Sequence, residues 1–559
     1  MLRTYGVLIV LAAAAPAVAL QSEAPQPPAP VICHAASVAD DDPNAVPPPA
    51  KALLKGYGTG GFQVRTSNPE AQAYFDNGMQ LAHAFAHKAA IAAFRHAEEL
   101  DPNCAMCAWG EAWSRGPTIN YPIDKKTQAD LVVLADKAAV LAEGGPAKER
   151  ALIAALQKRY HDGGGAGRGD VAFAAAMDDL AKADPDDNEI AVVAADAWMI
   201  PWAGSDGSKG RLDRAVELLE GALKRKPDDT AAIHFYIHAT EGSGFGTRAL
   251  PYAEKLQALA PAASHLVHMP SHTYFWAGRY RQAEQSNLDA VAIDQANAER
   301  LKPQGGVFGL GYHNHNVQYG EGAALMDGDA KGGLMLAKAQ LDQISATKVD
   351  PIYRQLLKGS AYYVYGRYAA RAEVAALPAP GADEPLAVAL WRYAQGEAAA
   401  RGNDVAGVKA AIKALQDQHA DLKGFRDFRP RAQALMDMAC LVLTGREAML
   451  EQRWDDAEAA YRKAAEIQDD KISFGGDPPV WWYPVRRSLA AALLADGKTA
   501  QAEAEAKTVL TRWFYDPQTL RILAEAAAKL GRPDEARRQL DYARSNWTGE
   551  LQATPLSGL

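Results

Sequence analysis

Six histidines and one glutamate carry the spacing of a ligand set in this chain of 559 residues. His234 and His238 stand four residues apart and Glu241 follows three later, so in a helix all three share one face. His268 and His272 repeat that interval, each 34 residues after its counterpart in the first pair. His265 precedes the second pair by three residues, and His315 follows His265 by 50. Converging neutral imidazoles suit Zn, Cu, Fe or Ni, a carboxylate adds an oxygen donor, and no cysteine lies in this stretch to add a soft one. His234, His238, Glu241, His265, His268, His272 and His315 are therefore expected to hold a transition metal, copper or zinc. The same residues also allow a metal-free periplasmic repeat scaffold whose groove binds a peptide or protein partner, the histidines hydrogen-bonding one another, the backbone or an organic ligand. A metal there would serve metal-assisted hydrolysis or copper-dependent oxidation, with Glu241 as ligand or general base. Storage or delivery of the ion would use the same site without turnover.

Elements must place these side chains together, and the 34-residue interval names them. From Ala71 to Asn103, Gly78, Ala90, Phe94, Ala97 and Pro102 fall at places eight, twenty, twenty-four, twenty-seven and thirty-two of such a unit. This resembles a tetratricopeptide repeat, a helix pair in which small residues permit close approach and the proline ends the second helix. Frames from Asp196, Thr230 and Ser264 place Ala215, Ala249 and Ala283 at the twentieth position, and further frames fit from Met438, Tyr483 and Pro517. With almost no alternating strand signal, the expected fold is an all-α solenoid of the tetratricopeptide (TPR) type, extrapolated through 121–195 and 340–435. Such repeats line their concave surface with places two, five, nine and twelve of the first helix. The resemblance thus puts His234 and His268 at five, His238 and His272 at nine, Glu241 at twelve, and His265 and His315 at two. Pro270 interrupts the second set and is expected to kink its helix or to start it. The 16 residues by which the last interval exceeds one repeat, including Pro303, Gly305, Gly306, Gly309 and Gly311, are expected to bulge beside the histidines and cover them.

The strings His234-Phe-Tyr-Ile-His238-Ala-Thr-Glu241 and His265-Leu-Val-His268-Met-Pro-Ser-His272, with Asp101-Pro-Asn-Cys104-Ala-Met-Cys107 upstream, resemble a group of exported bacterial TPR proteins. The resemblance covers roughly 70–320. It departs at His315-Asn316-Val317-Gln318, where the group carries a second histidine. Cys104 and Cys107 follow an Asp-Pro helix stop, where a helix N-terminus favours a thiolate; they read as a local disulfide, a redox pair or a metal clip.

The remaining features set limits. Residues 1–19 read as a signal peptide, with Arg3, an apolar run from Val7 to Ala15 and the triplet Ala17-Val18-Ala19. That apolar run is too short to span a bilayer, so a periplasmic or secreted protein without stable membrane insertion is expected. Residues 20–50 are a Pro/Ala-rich tether, 51–195 a first set of repeats, 196–345 the repeats with the histidines and 346–559 a C-terminal set. A net charge of −9 argues against nucleic acid as partner; a small molecule or a peptide in the concave groove remains the expected ligand class. His83, His87 and His96 flank the first repeat's turn and are read as structural hydrogen-bonding groups. Trp198, Trp202, Trp481 and Trp482 are read as packing residues. The glycine runs at 163–169 and 304–311 lack the Lys-Ser/Thr of a phosphate loop.

Overall fold

The computed structural model describes residues 46–161, 168–201, 209–303, 305–344, 349–418, 420–472 and 478–559. The leader at 1–19 and all but the last residues of the tether at 20–50 fall outside these, as do Cys33 and Trp202. No strand occurs among the described residues, and the chain is an all-α, TPR-type solenoid.

The first array runs through α1 (Pro69–His83), α2 (His87–Leu100), α3 (Ala105–Ser114), α4 (Lys125–Leu141), α5 (Ala147–His161), α6 (Arg168–Ala183), α7 (Asn188–Pro201), α8 (Lys209–Arg225), α9 (Thr230–Gly242) and α10 (Leu250–Leu259). The centre comprises α11 (Ser264–His268), α12 (Pro270–Trp276), α13 (Tyr280–Leu301), α14 (His313–Asp327), α15 (Ala330–Ile344) and α16 (Pro351–Tyr368). The chain continues through α17 (Arg371–Ala376), α18 (Pro385–Arg401), α19 (Val405–Gln416), α20 (Arg429–Leu450), α21 (Trp454–Ile467), α22 (Arg486–Ala495), α23 (Thr499–Val509), α24 (Pro517–Lys529) and α25 (Pro533–Ser545). Neighbouring helices pack in pairs, and first helices stack on first helices, as α7 does on α9 and α22 on α24.

Local chemistry starts these helices. Asn68 accepts from the amide of Glu70 at 2.9 Å ahead of Pro69, and Asp229 accepts from the amide of Ala232 at 3.2 Å to open α9. The glycine at place eight is a matter of space: a Cβ on Gly78 would stand 2.6 Å from the Phe94 ring, and one on Gly445 would stand 2.4 Å from Tyr461, sixteen residues on in both cases.

Frames from Thr230, Ser264 and Pro517 coincide with the starts of α9, α11 and α24. The frame from Asp196 is displaced, because α7 already begins at Asn188. The proline in His268-Met269-Pro270 divides one helical rod in two: Met269 keeps right-handed helical angles (φ −52°, ψ −37°), but α11 ends at His268 and α12 begins at Pro270, which has no N–H to donate. The 16 extra residues do not all bulge. Part of them lengthens α13 to 22 residues, and the rest forms the connector to α14 with a short 3-10 turn at Gly306–Gly309.

Two large apolar cores result, one from Val64 to Met269 and one from Phe275 to Leu559, parting at the α11–α12 break. Both ends of the described residues fold back on the centre. The amide of Thr59 donates to Thr230 Oγ1 at 2.8 Å, and the amide of Thr548 donates to the carbonyl of Asp327 at 2.7 Å. Residues 551–559 return along the inner helices, where Arg367 donates to the Gly558 carbonyl at 2.8 Å and Arg521 to the Thr554 carbonyl at 2.6 Å.

Gly78→Leu forces the Phe94 ring to move, and overpacking of this kind costs about 1–3 kcal/mol. The expected result is faster amide hydrogen exchange across α1 and α2, with protection of α24 and α25 unchanged.

Candidate metal centre

The six histidines meet at the seam between the two cores. His234 and His238 project from α9, His265 and His268 from α11, His272 from α12 and His315 from α14, and all six rings are buried. Their nitrogens gather in two sets of three, His234 with His238 and His265, and His268 with His272 and His315; within each set the atoms lie within 4.8 Å of one another.

Hydrogen bonds at the outer nitrogens decide which atoms face inward. Nδ1 of His234 lies 2.6 Å from the carbonyl oxygen of His83, which can only accept, so this nitrogen carries the hydrogen and Nε2 carries a lone pair. Nδ1 of His272 donates to Glu241 Oε2 at 2.7 Å, and the Trp276 indole donates to Glu241 Oε1 at 3.1 Å. Asn287 is oriented because its Nδ2 donates to the Ala283 carbonyl at 2.7 Å, which turns Oδ1 toward Nδ1 of His268 at 2.6 Å. Nε2 of His268 therefore turns its lone pair toward Nε2 of His272, 2.9 Å away, an approach that a proton or a metal ion between the two makes favourable. In the first set, Nε2 of His234 stands 3.1 Å from Nε2 of His238 and 3.1 Å from Nε2 of His265, more neighbours than one lone pair accepts well, while Nδ1 of His238 and of His265 has no hydrogen-bond partner.

Burial pushes His234 down to about 3 despite its bond to the His83 carbonyl, with the charges of His83 and His272 adding to the fall. Burial first, then neighbouring imidazolium charge, holds His238, His265 and His268 well below the usual histidine range. His234, His238, His265 and His268 are thus neutral donors at physiological pH, the form a metal takes.

Aromatic side chains close the walls. Phe85 meets His234 edge-on at 4.5 Å between centroids and stacks on His265 at 5.0 Å. It does so from a left-handed backbone (φ 56°) that costs a non-glycine residue about 1–2 kcal/mol. Tyr312, at the end of the connector from α13, lies 4.4 Å from His265 and accepts from Asn120 at 2.8 Å; Tyr319 lies 4.7 Å from His272.

Phe85, Tyr312, Asn287 and the His83 carbonyl belong to the site yet show no signal at the repeat spacing; the 16-residue excess before His315 was the one pointer, and it led to Tyr312. Glu241 is not a member of either nitrogen set, since its carboxylate is engaged by His272 and Trp276. Gln318, at place five in the frame of His315, lines a separate cleft with Ser360 and Trp482. The neighbouring His313 turns away and faces Asp294 at 3.2 Å.

The other candidate groups lie elsewhere. Cys104 and Cys107 form a buried disulfide at the start of α3, with Cα atoms 5.3 Å apart, and Cys440 is a free, half-buried thiol. Burial pulls the pKa of His83 down, but the charge and hydrogen bond of Glu189 with the charges of Asp229 and Asp196 together raise it; His87, with no such partner, is pushed down to about 4 by burial and by the charge of His83. His96 bonds Glu99 at 3.1 Å. Trp481 packs between Tyr363 and Tyr393.

No protein family model and no curated protein matches the chain. Among solved structures it is similar to a human IFIT1 dimer with m7Gppp-AAAA (12% identity over 86% of this chain and 91% of that one, TM-score 0.30). It is also similar to yeast Tom70 (10% identity, 87% of each chain, TM-score 0.21). The site's chemistry takes nothing from likenesses of this size, and the repeat architecture rests on the helix pairs themselves.

In metal-free protein, nitrogen-15 spectra of the histidine rings should show hydrogen on Nδ1 of His234, His268 and His272. An Nε2–H signal for His268 would contradict the arrangement.

Proposed function

We propose that this is an exported repeat protein whose inner face holds a transition metal, copper or zinc, on six buried histidines. One observation carries the reading: six buried imidazoles bring their nitrogens together in two sets of three, each within 4.8 Å, with Nε2 of His268 and of His272 2.9 Å apart.

Within this reading the outer groups orient the ligands. The His83 carbonyl, Asn287 and Glu241 hold hydrogen on the outer nitrogens and aim Nε2 inward, a support that commonly governs metal affinity by 10–100-fold. Glu241 thus serves as an orienting carboxylate and is not free to act as a base. A set of three neutral nitrogens suits either copper-dependent oxidation or metal-assisted hydrolysis, the latter with a base other than Glu241.

Protein purified without a histidine tag should contain metal by elemental analysis, and the double variant His238→Ala, His272→Ala should lose it while keeping its helical circular dichroism. Wild-type protein that neither carries copper or zinc nor gains thermal stability on their addition would end the proposal. Glu241→Gln should retain metal but bind it about 10–100-fold more weakly in chelator competition. Removing 302–309, which displaces Tyr312 from His265, should speed metal removal by a chelator without loss of helicity.

A further inference from the structure

We infer that the site takes two ions, one on each set of three histidines, and that they are copper(I) ions that bind dioxygen between them. This rests on the metal-binding reading above and goes beyond it in number, oxidation state and ligand.

Number follows from reach. Nitrogen ligands sit about 2.0–2.1 Å from an ion of this size, so any two ligands of one ion lie within about 4.2 Å of each other. His234, His238 and His265 meet that requirement loosely as one set and His268, His272 and His315 as another, but the six do not form one set within 4.8 Å. One ion therefore leaves three histidines unused. The sets are also adjacent: the rings of His238 and His272, and those of His265 and His268, are each 5.9 Å apart at their centroids. Ions in the two sets would lie side by side, close enough for one small bridging ligand, as in other two-metal sites.

Oxidation state follows from charge. All six ligands are neutral, and Glu241, on the outer nitrogen of His272, is the one carboxylate that meets either set's outer nitrogens in the hydrogen bonds described. Two divalent ions would place four positive charges among buried rings walled by Phe85, Tyr312 and Tyr319. Two copper(I) ions place half that charge there, and three nitrogens suffice for each. Burying charge without a counter-charge is costly, so the pocket selects the monovalent pair.

The ligand follows from burial and electron count. With every ring buried, a molecule that reaches the ions without opening the fold is small and neutral, and dioxygen meets both conditions. Each copper(I) gives up one electron, the two electrons enter dioxygen, and the O–O double bond becomes the single bond of a peroxide bridging two copper(II) ions. No proton or further reductant enters this step.

The full-length protein is loaded anaerobically with copper(I), freed of excess and analysed for copper and for dioxygen uptake. Two coppers per chain and one dioxygen per pair are expected, with little copper(II) paramagnetic resonance after oxygenation because the bridged spins couple. His238→Ala and, separately, His315→Ala should each retain one copper and show the signal of an isolated copper(II) after air oxidation. One copper per chain in the wild type, two coppers that oxidise to uncoupled ions, or a pair of zinc ions held in preference to copper(I) would each overturn the inference while leaving metal binding standing. Absence of any bound metal would instead overturn the reading on which it rests.

Discussion

Everything distinctive in this molecule follows from neutral imidazoles that have been denied water and given a direction. Imidazole has one hydrogen to donate, and wherever the outer nitrogen spends it on a carbonyl, an amide oxygen or a carboxylate, the inner nitrogen is left with a lone pair. The His83 carbonyl, Asn287 and Glu241 each exact that outcome. The repeats bring these nitrogens within about 3 Å of their neighbours, and burial disfavours a charge on His268. The solenoid's work at its centre is to hold the inward nitrogens in register.

Much of this was legible because repeat folds turn sequence intervals into spatial ones. A spacing of 34 residues between two helical His-x-x-x-His pairs put four side chains on equivalent turns of stacked helices, and α9 and α11 start where the frames from Thr230 and Ser264 begin. The division into two triads was not legible. It arises from the interruption at Pro270 and from the position of α14, and the length of α13 sets that position. Nor did the sequence separate the ligating type from the orienting role in Glu241, because a carboxylate on the shared face suits either one. The supports from α1 and its following turn were hidden for another reason: a contact between the first repeat and α9 depends on the superhelical path, which no local interval records.

The seam between the two cores explains how a polar cluster survives inside an apolar protein. Leucines and alanines fill the cores on either side, and the histidines occupy the surface where α9 and α11 of the first core meet α12 and α14 of the second. Phe85 stacks on His265 and Tyr312 lies tilted against the same ring, while Tyr319 lies beside His272, so aromatic area meets both sets of imidazoles. The site therefore costs little of the packing that keeps each array folded.

The bond from His234 to the His83 carbonyl spans 151 residues, and Thr59 meets Thr230 across 171. An ordinary solenoid is a one-dimensional chain of nearest-neighbour contacts, free to fray from its ends. Here the first repeat is fastened to α9, so the intervening helices form a closed loop with no free end. A ring of repeats opens by breaking its clasp, and the clasp is one of the groups that orient the histidines. Structural integrity of the N-terminal array and the state of the central cluster are therefore thermodynamically linked, each reporting on the other.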